Sequence, residues 1–436
     1  MTVVREYPAD QLTPVMAYAA ISRKGSCLLE SAHEEGERRS FIGVDSVATF
    51  TAKGRNLELR VGSECETFEG DPYEVLNRLE KRFGLPAVGY ITYDAIRSKE
   101  KIPARHKDLF QLPDFFFQFY KSSLLFMHHQ RTVTFSAETE EDVDRLMEEL
   151  LNAQKRLPVL SERKKIEIKP DLSDAEYCQI IEEAKKFIVA GDVFQIVPSR
   201  TFQVKIESAP LQVYRALRQT SPTPYSFFFD FDEYAIAGAS PEKIISVHNG
   251  RVESMPIAGS CAPNGSIEKL LADPKESAEH VMLVDLARND IGSVCLPGTV
   301  QVAEFKKPRR FSHITHIVSR VVGQLDPRLS SLDALKASFP AGTLSGAPKV
   351  RAMELIDQLE NSRRGLYGGA IVSLDGKGNM DSCIAIRMAF MKDGVAYVRA
   401  GGGIVLDSDP MLEANETRMK ASAVLDALEL AEGSLK

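Results

Sequence analysis

The chain has 436 residues, 44% hydrophobic and 26% charged, a balance that fits a soluble globular protein with a substantial core and more than one domain, and excludes a disordered or fibrous chain. Its 54 Lys and Arg against 61 Asp and Glu give a formal charge of -7 with no basic run or stripe, which argues against nucleic acid as a partner. The first residues carry charges at Arg5, Glu6 and Asp10, no apolar stretch reaches bilayer length, and the six cysteines form no CxxC pair, so a cytoplasmic protein with free thiols, no membrane contact and no zinc site is expected.

In chain order, residues 26 to 156 read as short strands and turns with some helix, with strands at Val47 to Thr51, Leu57 to Val61, Ser122 to Met127 and Thr132 to Ser136. The polar stretch Leu157 to Pro170, holding Glu162-Arg163-Lys164-Lys165, is expected to link an N-terminal region, 1–160, to a second region, 170–436. Ser173-Asp174-Ala175-Glu176 is a capping box opening a helix that ends at Gly191. Strands follow at Phe194 to Val197, at Tyr225 to Gly238 broken by the acidic turn Asp230 to Asp232, and near Arg251 to Met255, Gly368 to Leu374, Ile384 to Met391 and Val395 to Ile404. Turns at Asn249-Gly250, Asp375-Gly376 and Asp393-Gly394 mark antiparallel neighbours, and no strand-helix-strand alternation appears. The expected fold class is α+β, with layered antiparallel β-sheets, outer helices and a site in a cleft.

Two carboxylate pairs each sit three residues apart at a helix start, Glu276 with Glu279 and Glu413 with Glu416. Four carboxylates from two helices would make an oxygen-only site suited to Mg²⁺; alternatively, acidic first turns offset the helix dipole on a solvated face, and spacing alone favours that second reading. The stretches Ala341-Gly342-Thr343-Leu344-Ser345-Gly346, leading into a helix near Pro348, and Gly401-Gly402-Gly403 are equally tight turns or anion cradles, and neither has the order of a phosphate loop. His313 and His316 fall in what reads as the first turns of a helix capped by Ser312, and either is an acid or base, or a packing residue.

Taken in order, Gly191-Asp192-Val193-Phe194-Gln195, Ser240-Pro241-Glu242, Pro256-Ile257-Ala258-Gly259, Ala278-Glu279-His280 through Asp290, Phe339-Pro340-Ala341-Gly342-Thr343, Tyr367-Gly368-Gly369 and Gly403-Ile404-Val405 resemble the chorismate-binding enzymes from Ser173 to Leu430. Within that family the chain is most similar to anthranilate synthase component I. The resemblance implies an enzyme of tryptophan biosynthesis, an aminating lyase that makes anthranilate and pyruvate from chorismate and ammonia through 2-amino-2-deoxyisochorismate. It implies Mg²⁺ held directly by Glu279 and Glu416, with Glu276 and Glu413 completing the shell. It makes Glu242 the general acid for loss of the C4 hydroxyl, and His316, not His313, the residue of pyruvate elimination. Thr343, Tyr367, Arg387 and the backbone of Gly401, Gly402 and Gly403 match positions that hold substrate carboxylates.

Two positions separate the sister activities. Gln195 stands where isochorismate and salicylate synthases carry a water-activating lysine, and Ala258 where many aminodeoxychorismate synthases carry a lysine able to attack the ring. Leu28-Leu29-Glu30-Ser31 with Arg39-Ser40-Phe41-Ile42-Gly43, and Pro224-Tyr225-Ser226, resemble the two segments with which the family binds feedback tryptophan, so Leu29, Glu30, Ser31, Pro224, Tyr225 and Ser226 are the expected inhibitor contacts. Ser226 replaces a common methionine, and Ser260-Cys261-Ala262-Pro263-Asn264-Gly265 replaces the usual Thr-Arg-Pro-Arg-Gly. No cysteine nucleophile elbow of a glutamine amidotransferase occurs, so ammonia is expected from a separate subunit of the component II type or from solution. The alternatives are the component I of aminodeoxychorismate synthase, in the folate pathway, and a non-catalytic tryptophan-binding regulator on the same scaffold.

Overall fold

The computed structural model describes residues 2–32, 38–152, 157–160, 162–261, 265–310 and 315–434. All strand pairings among them are antiparallel, and 21 of the strands form one continuous hydrogen-bonded network. The hairpin turns fall where Asn-Gly and Asp-Gly predict them: Asn249-Gly250 joins Lys243–His248 to Arg251–Ser254, Asp375-Gly376 precedes Met380–Ile384, and Asp393-Gly394 joins Met388–Lys392 to Val395–Gly401. Both capping-box bonds form at Ser173 and Glu176, and the helix Asp174–Val189 stops just before Gly191.

Alternate residues of one strand serve different cores, as a pleated sheet demands. Phe228 packs with the helices Pro210–Thr220 and Pro410–Gly433, whereas Phe227 and Phe229 enter an aromatic cluster with Tyr90, Tyr120 and Phe390. On Ala87–Ile91, Val88 and Tyr90 face that same aromatic cluster, while Ala87 and Ile91 face a third core with Val284, Ile291 and Leu335. Sheet faces thus enclose an aromatic layer, and helices cover the outer sides, giving the layered α+β architecture read from the sequence. Strands from early and late sequence mix: Cys27–Ala32 pairs with Tyr225–Asp230, and Ala87–Ile91 pairs with Ala370–Leu374. Residues Ile168–Pro170, at the end of the polar stretch, pair with Ser199–Lys205. Among the described residues, no helix is long and apolar enough to cross a membrane.

Two expectations need correction. Thr315–Gln324 is a strand, so His316 does not lie in a helix; the β-branched run Thr315, Ile317, Val318, Val321, Val322 outweighs the cap signal at Ser312, which with His313 lies outside the described residues. Ile384 to Met391 is not one strand either. It breaks between Met380–Ile384 and Met388–Lys392, where Arg387 has a φ of 52°.

Candidate active site

Glu242 leaves the end of the strand Ala235–Ser240, and its Oε1 accepts a 2.9 Å hydrogen bond from the Thr343 hydroxyl. Thr343 belongs to the short turn of helix Gly342–Ser345, so two segments far apart in sequence meet at this carboxyl. Burial raises the Glu242 carboxyl to about 7, against the lowering pull of Thr343 and of the Lys420 charge. An acid in that range can hold a proton near neutral pH and give it up in a reaction.

The glycine stretch at the end of Val395–Gly401 is close-packed, against backbone at Gly401 and against side-chain ends at Gly402 and Gly403. A Cβ would come 2.4 Å from Pro198 O at Gly401, 2.8 Å from Glu413 Oε2 at Gly402 and 2.6 Å from Gln195 Nε2 at Gly403. The same stretch therefore brings the first turns of Pro410–Gly433 and the short strand Gln195–Ile196 together. The Gln195 amide in turn donates to Glu279 Oε1 at 3.3 Å, linking this side to the helix Pro274–Gly292. The buried Tyr367 hydroxyl lies near Gly401 on the other flank, 3.1 Å from where a Cβ would sit.

Glu413 and Glu416 influence each other directly. Burial raises the Glu413 carboxyl, with the Glu416 charge adding to the rise; burial opposes ionisation of Glu416 too, but Lys420, 2.6 Å away, holds it below the ordinary carboxylate range. Lys420 also donates to Gly401 O at 3.0 Å, and Arg387 donates to the Lys420 carbonyl. Sequence reasoning missed Lys420, although its place four residues after Glu416 on one helix face is a visible signal.

Glu276 and His316 both approach Gly259, at a bulge. The strands Ile257–Cys261 and Thr315–Gln324 shift register between Ala258 and Ser260, and Gly259 takes a φ of 71° there. The His316 Nδ1 lies 3.0 Å from Gly259 O, and a Cβ on Gly259 would come 2.9 Å from Glu276 Oε2. A carbonyl can only accept, so Nδ1 carries the proton and Nε2 holds the lone pair of the neutral ring. Burial lowers the His316 pKa, so the neutral form prevails at pH 7.

The expected site residues thus fall into neighbouring groups: Glu242 with Thr343; Gln195 with Gly403 and Glu279; Glu413 and Glu416 with Gly401, Gly402 and Lys420; Glu276 and His316 about Gly259. Among the described residues, no three His, Cys, Asp or Glu side chains converge closely enough to enclose a metal ion. One feature still suits a cation: Glu413 Oε2 is buried without a hydrogen-bond partner.

The expected inhibitor contacts lie elsewhere but beside one another. Leu29 pairs with Phe227, Glu30 with Ser226 and Ser31 with Tyr225. Glu30 accepts from Tyr214 at 2.6 Å, from Ser40 at 3.3 Å and from the Arg218 guanidinium through both oxygens.

Comparison with known proteins adds the family context. The sequence profile of the chorismate binding enzyme family matches residues 24–426. The chain is 40% identical to the anthranilate synthase component 1 of Mycolicibacterium smegmatis over 98% of its own length and 90% of that protein's. It is 40% identical to the protein of the same name from Bacillus caldotenax, over 99% of this chain and 94% of the relative. The crystal structure of anthranilate synthase component I from Streptococcus pneumoniae superposes with a TM-score of 0.81 at 35% identity, covering 96% of this chain and 98% of that one.

Proposed function

This chain belongs to the chorismate-binding enzyme family, and from that premise we propose that it is the chorismate-using subunit of an anthranilate synthase, making anthranilate and pyruvate from chorismate and ammonia. Ammonia adds at C2 of the ring while the C4 hydroxyl leaves as water, taking its proton from the Glu242 carboxyl. In the resulting 2-amino-2-deoxyisochorismate the neutral His316 ring accepts the C2 proton as the ring C–O bond to the enolpyruvyl group breaks, so that the ring becomes aromatic and the released enolpyruvate takes up a proton to become pyruvate. Tyr367 and Arg387 orient substrate carboxylates, the latter with a planar fork that matches one. Gly401 to Gly403 let the backbone approach without a Cβ in the way.

The donor set fits Mg²⁺: all oxygen, on two helices, with one buried carboxylate oxygen at Glu413 lacking a partner. Glu279 and Glu416 would bind it directly and Glu276 and Glu413 would complete the shell; when bound it neutralises the ring carboxylate of chorismate. A cation that keeps several waters and binds substrate needs few protein ligands at once, so full convergence of the four carboxylates is not required. Ammonia would come from a component II type glutaminase subunit in the cytoplasm, and tryptophan would act as feedback inhibitor at Glu30 and its neighbours.

The observation that carries the choice of ammonia over water is Gln195, whose neutral amide sits against Gly403 and Glu279 and offers no base. Incubation with chorismate, Mg²⁺ and ammonium salt should give fluorescent anthranilate and an equal amount of pyruvate. Isochorismate formed at a comparable rate without ammonium would overturn the reading, and a non-aromatic amine as end product would favour aminodeoxychorismate synthesis.

A further inference from the structure

Behind the proposed site lies a buried ion network that none of the chemistry above uses. Arg364 is 3% exposed, yet its guanidinium spends every nitrogen on a specific partner. Its Nε and one Nη bond the Glu360 carboxylate at 3.1 and 2.7 Å; one Nη donates to Leu344 O and the other to Val197 O, each at 2.5 Å. Its cationic plane lies over the rings of Tyr93 and Tyr367, 4.6 and 5.7 Å from their centroids. Glu360 also accepts from Arg399 at 2.7 Å and from the Ser199 backbone at 2.8 Å, so the carboxylate that anchors Arg364 is itself held on two sides.

Of the four groups touched beyond Glu360, three belong to or adjoin the proposed site. Leu344 follows Thr343 in the turn Gly342–Ser345; Val197 follows the strand Gln195–Ile196, which pairs with Gly346–Ala347; and Tyr367 is a proposed substrate contact. We propose that Arg364 is a positioning residue that fixes Thr343, Gln195 and Tyr367 relative to one another through the Leu344 carbonyl, the Val197 carbonyl and the Tyr367 ring. The planar fork makes these contacts together; a lysine ammonium in its place is a single point charge on a flexible stem and can satisfy few of them at once. This inference rests on the functional reading above.

The test compares the wild-type chain with Arg364→Lys, Glu360→Gln, Thr343→Val and the Arg364→Lys/Thr343→Val double variant, following chorismate consumption across the pH range that brackets Glu242 titration. Glu242 is faced by Thr343 from one segment and by Lys420 from the C-terminal helix, and loss of the Thr343 bond raises its carboxyl. Arg364→Lys should lower kcat/KM for chorismate on the order of 10²-fold, the effect of a small misplacement of reacting groups. It should also move the alkaline limb of the pH profile to higher pH. Thr343→Val should move the limb the same way, the double variant should move it no further, and Glu360→Gln should move it less. A folded Arg364→Lys protein with the wild-type limb overturns the proposal, as does a double variant whose limb shifts by the sum of the two. If Arg364→Lys does not fold, Glu360→Gln decides: a shifted limb supports positioning, and an unshifted one assigns the network to stability alone. A wrong functional reading would show instead in the wild-type protein, as absence of anthranilate.

Discussion

Glu242 is held near neutrality by burial, and this has an energetic consequence separate from catalysis. Its carboxyl titrates near 7 in the fold against 4.5 for an ordinary glutamate, so its contribution to stability is complete below about 4.5 and is lost as pH rises through about 7. Glu242→Gln should therefore raise Tm by a few degrees at about pH 8 and leave it unchanged at about pH 4.5. The same substitution should slow turnover by ~10²–10⁴-fold, because the amide has no proton to give. Equal melting temperatures at both pH values would mean that the carboxyl is not raised. His316 has the opposite shift: burial lowers it, so the ring stays neutral and able to accept a proton somewhat below its ordinary range. His316→Met should slow pyruvate loss more than ammonia addition, and 2-amino-2-deoxyisochorismate should accumulate in the product mixture. Anthranilate formed at the normal rate would remove His316 from the elimination.

At the scale of elements, two helices present their carboxylates from the first two turns, Glu276 and Glu413 in the first, where the positive end of the helix dipole already favours negative charge. This makes the dipole and the cation complementary reasons for one pattern, and binding separates them. Mg²⁺ at about 100 times its Kd should stabilise the wild-type fold by about 2.7 kcal/mol, seen as a rise in Tm. Glu279→Gln and Glu416→Gln should abolish that rise, whereas removing dipole partners would lower Tm equally with and without the ion. The pairs themselves were legible because i, i+3 spacing is local, as were the capping box at Ser173 and the Asn-Gly and Asp-Gly hairpins. His316 was misread because a serine ahead of mixed polar and apolar residues resembles a helix start, while its strand is secured between Gln301–Arg310 and Ile257–Cys261, the latter more than fifty residues earlier in the sequence. The same holds for Gln195, Gly403 and Glu279: their meeting depends on strand pairing and helix packing across the chain, and no local spacing encodes it. The interruption at Arg387 was hidden for a related reason, since its backbone conformation is imposed by contacts to Lys420 and Ala239 that only the fold supplies.

Across the whole molecule, the pairing of early and late strands gives the proposed inhibitor segment a short mechanical route to the acid. Glu30 pairs with Ser226, Ser226 pairs with Ala239, and the strand bearing Ala239 runs through Ser240 to Glu242. The Ala239 amide also bonds the Arg387 carbonyl at 3.0 Å, so both the acid and a proposed substrate fork hang from one strand. A ligand that spreads Cys27–Ala32 from Tyr225–Asp230 would move these groups together. Coupling of that kind is reciprocal, so tryptophan should weaken chorismate binding and chorismate should weaken tryptophan binding by the same factor. Glu30 is the residue to vary, because it is the carboxylate among the proposed inhibitor contacts that could pair with an amino-acid ammonium, and Arg218 already occupies both of its oxygens. Glu30→Ala should leave kcat close to wild type while abolishing inhibition, and Arg218→Gln should lower the tryptophan concentration needed for half inhibition by removing the competitor. Inhibition of Glu30→Ala at the wild-type tryptophan concentration would show that the ligand binds elsewhere. A wild-type half-inhibition value in Arg218→Gln would show instead that the guanidinium yields to the ligand at no cost.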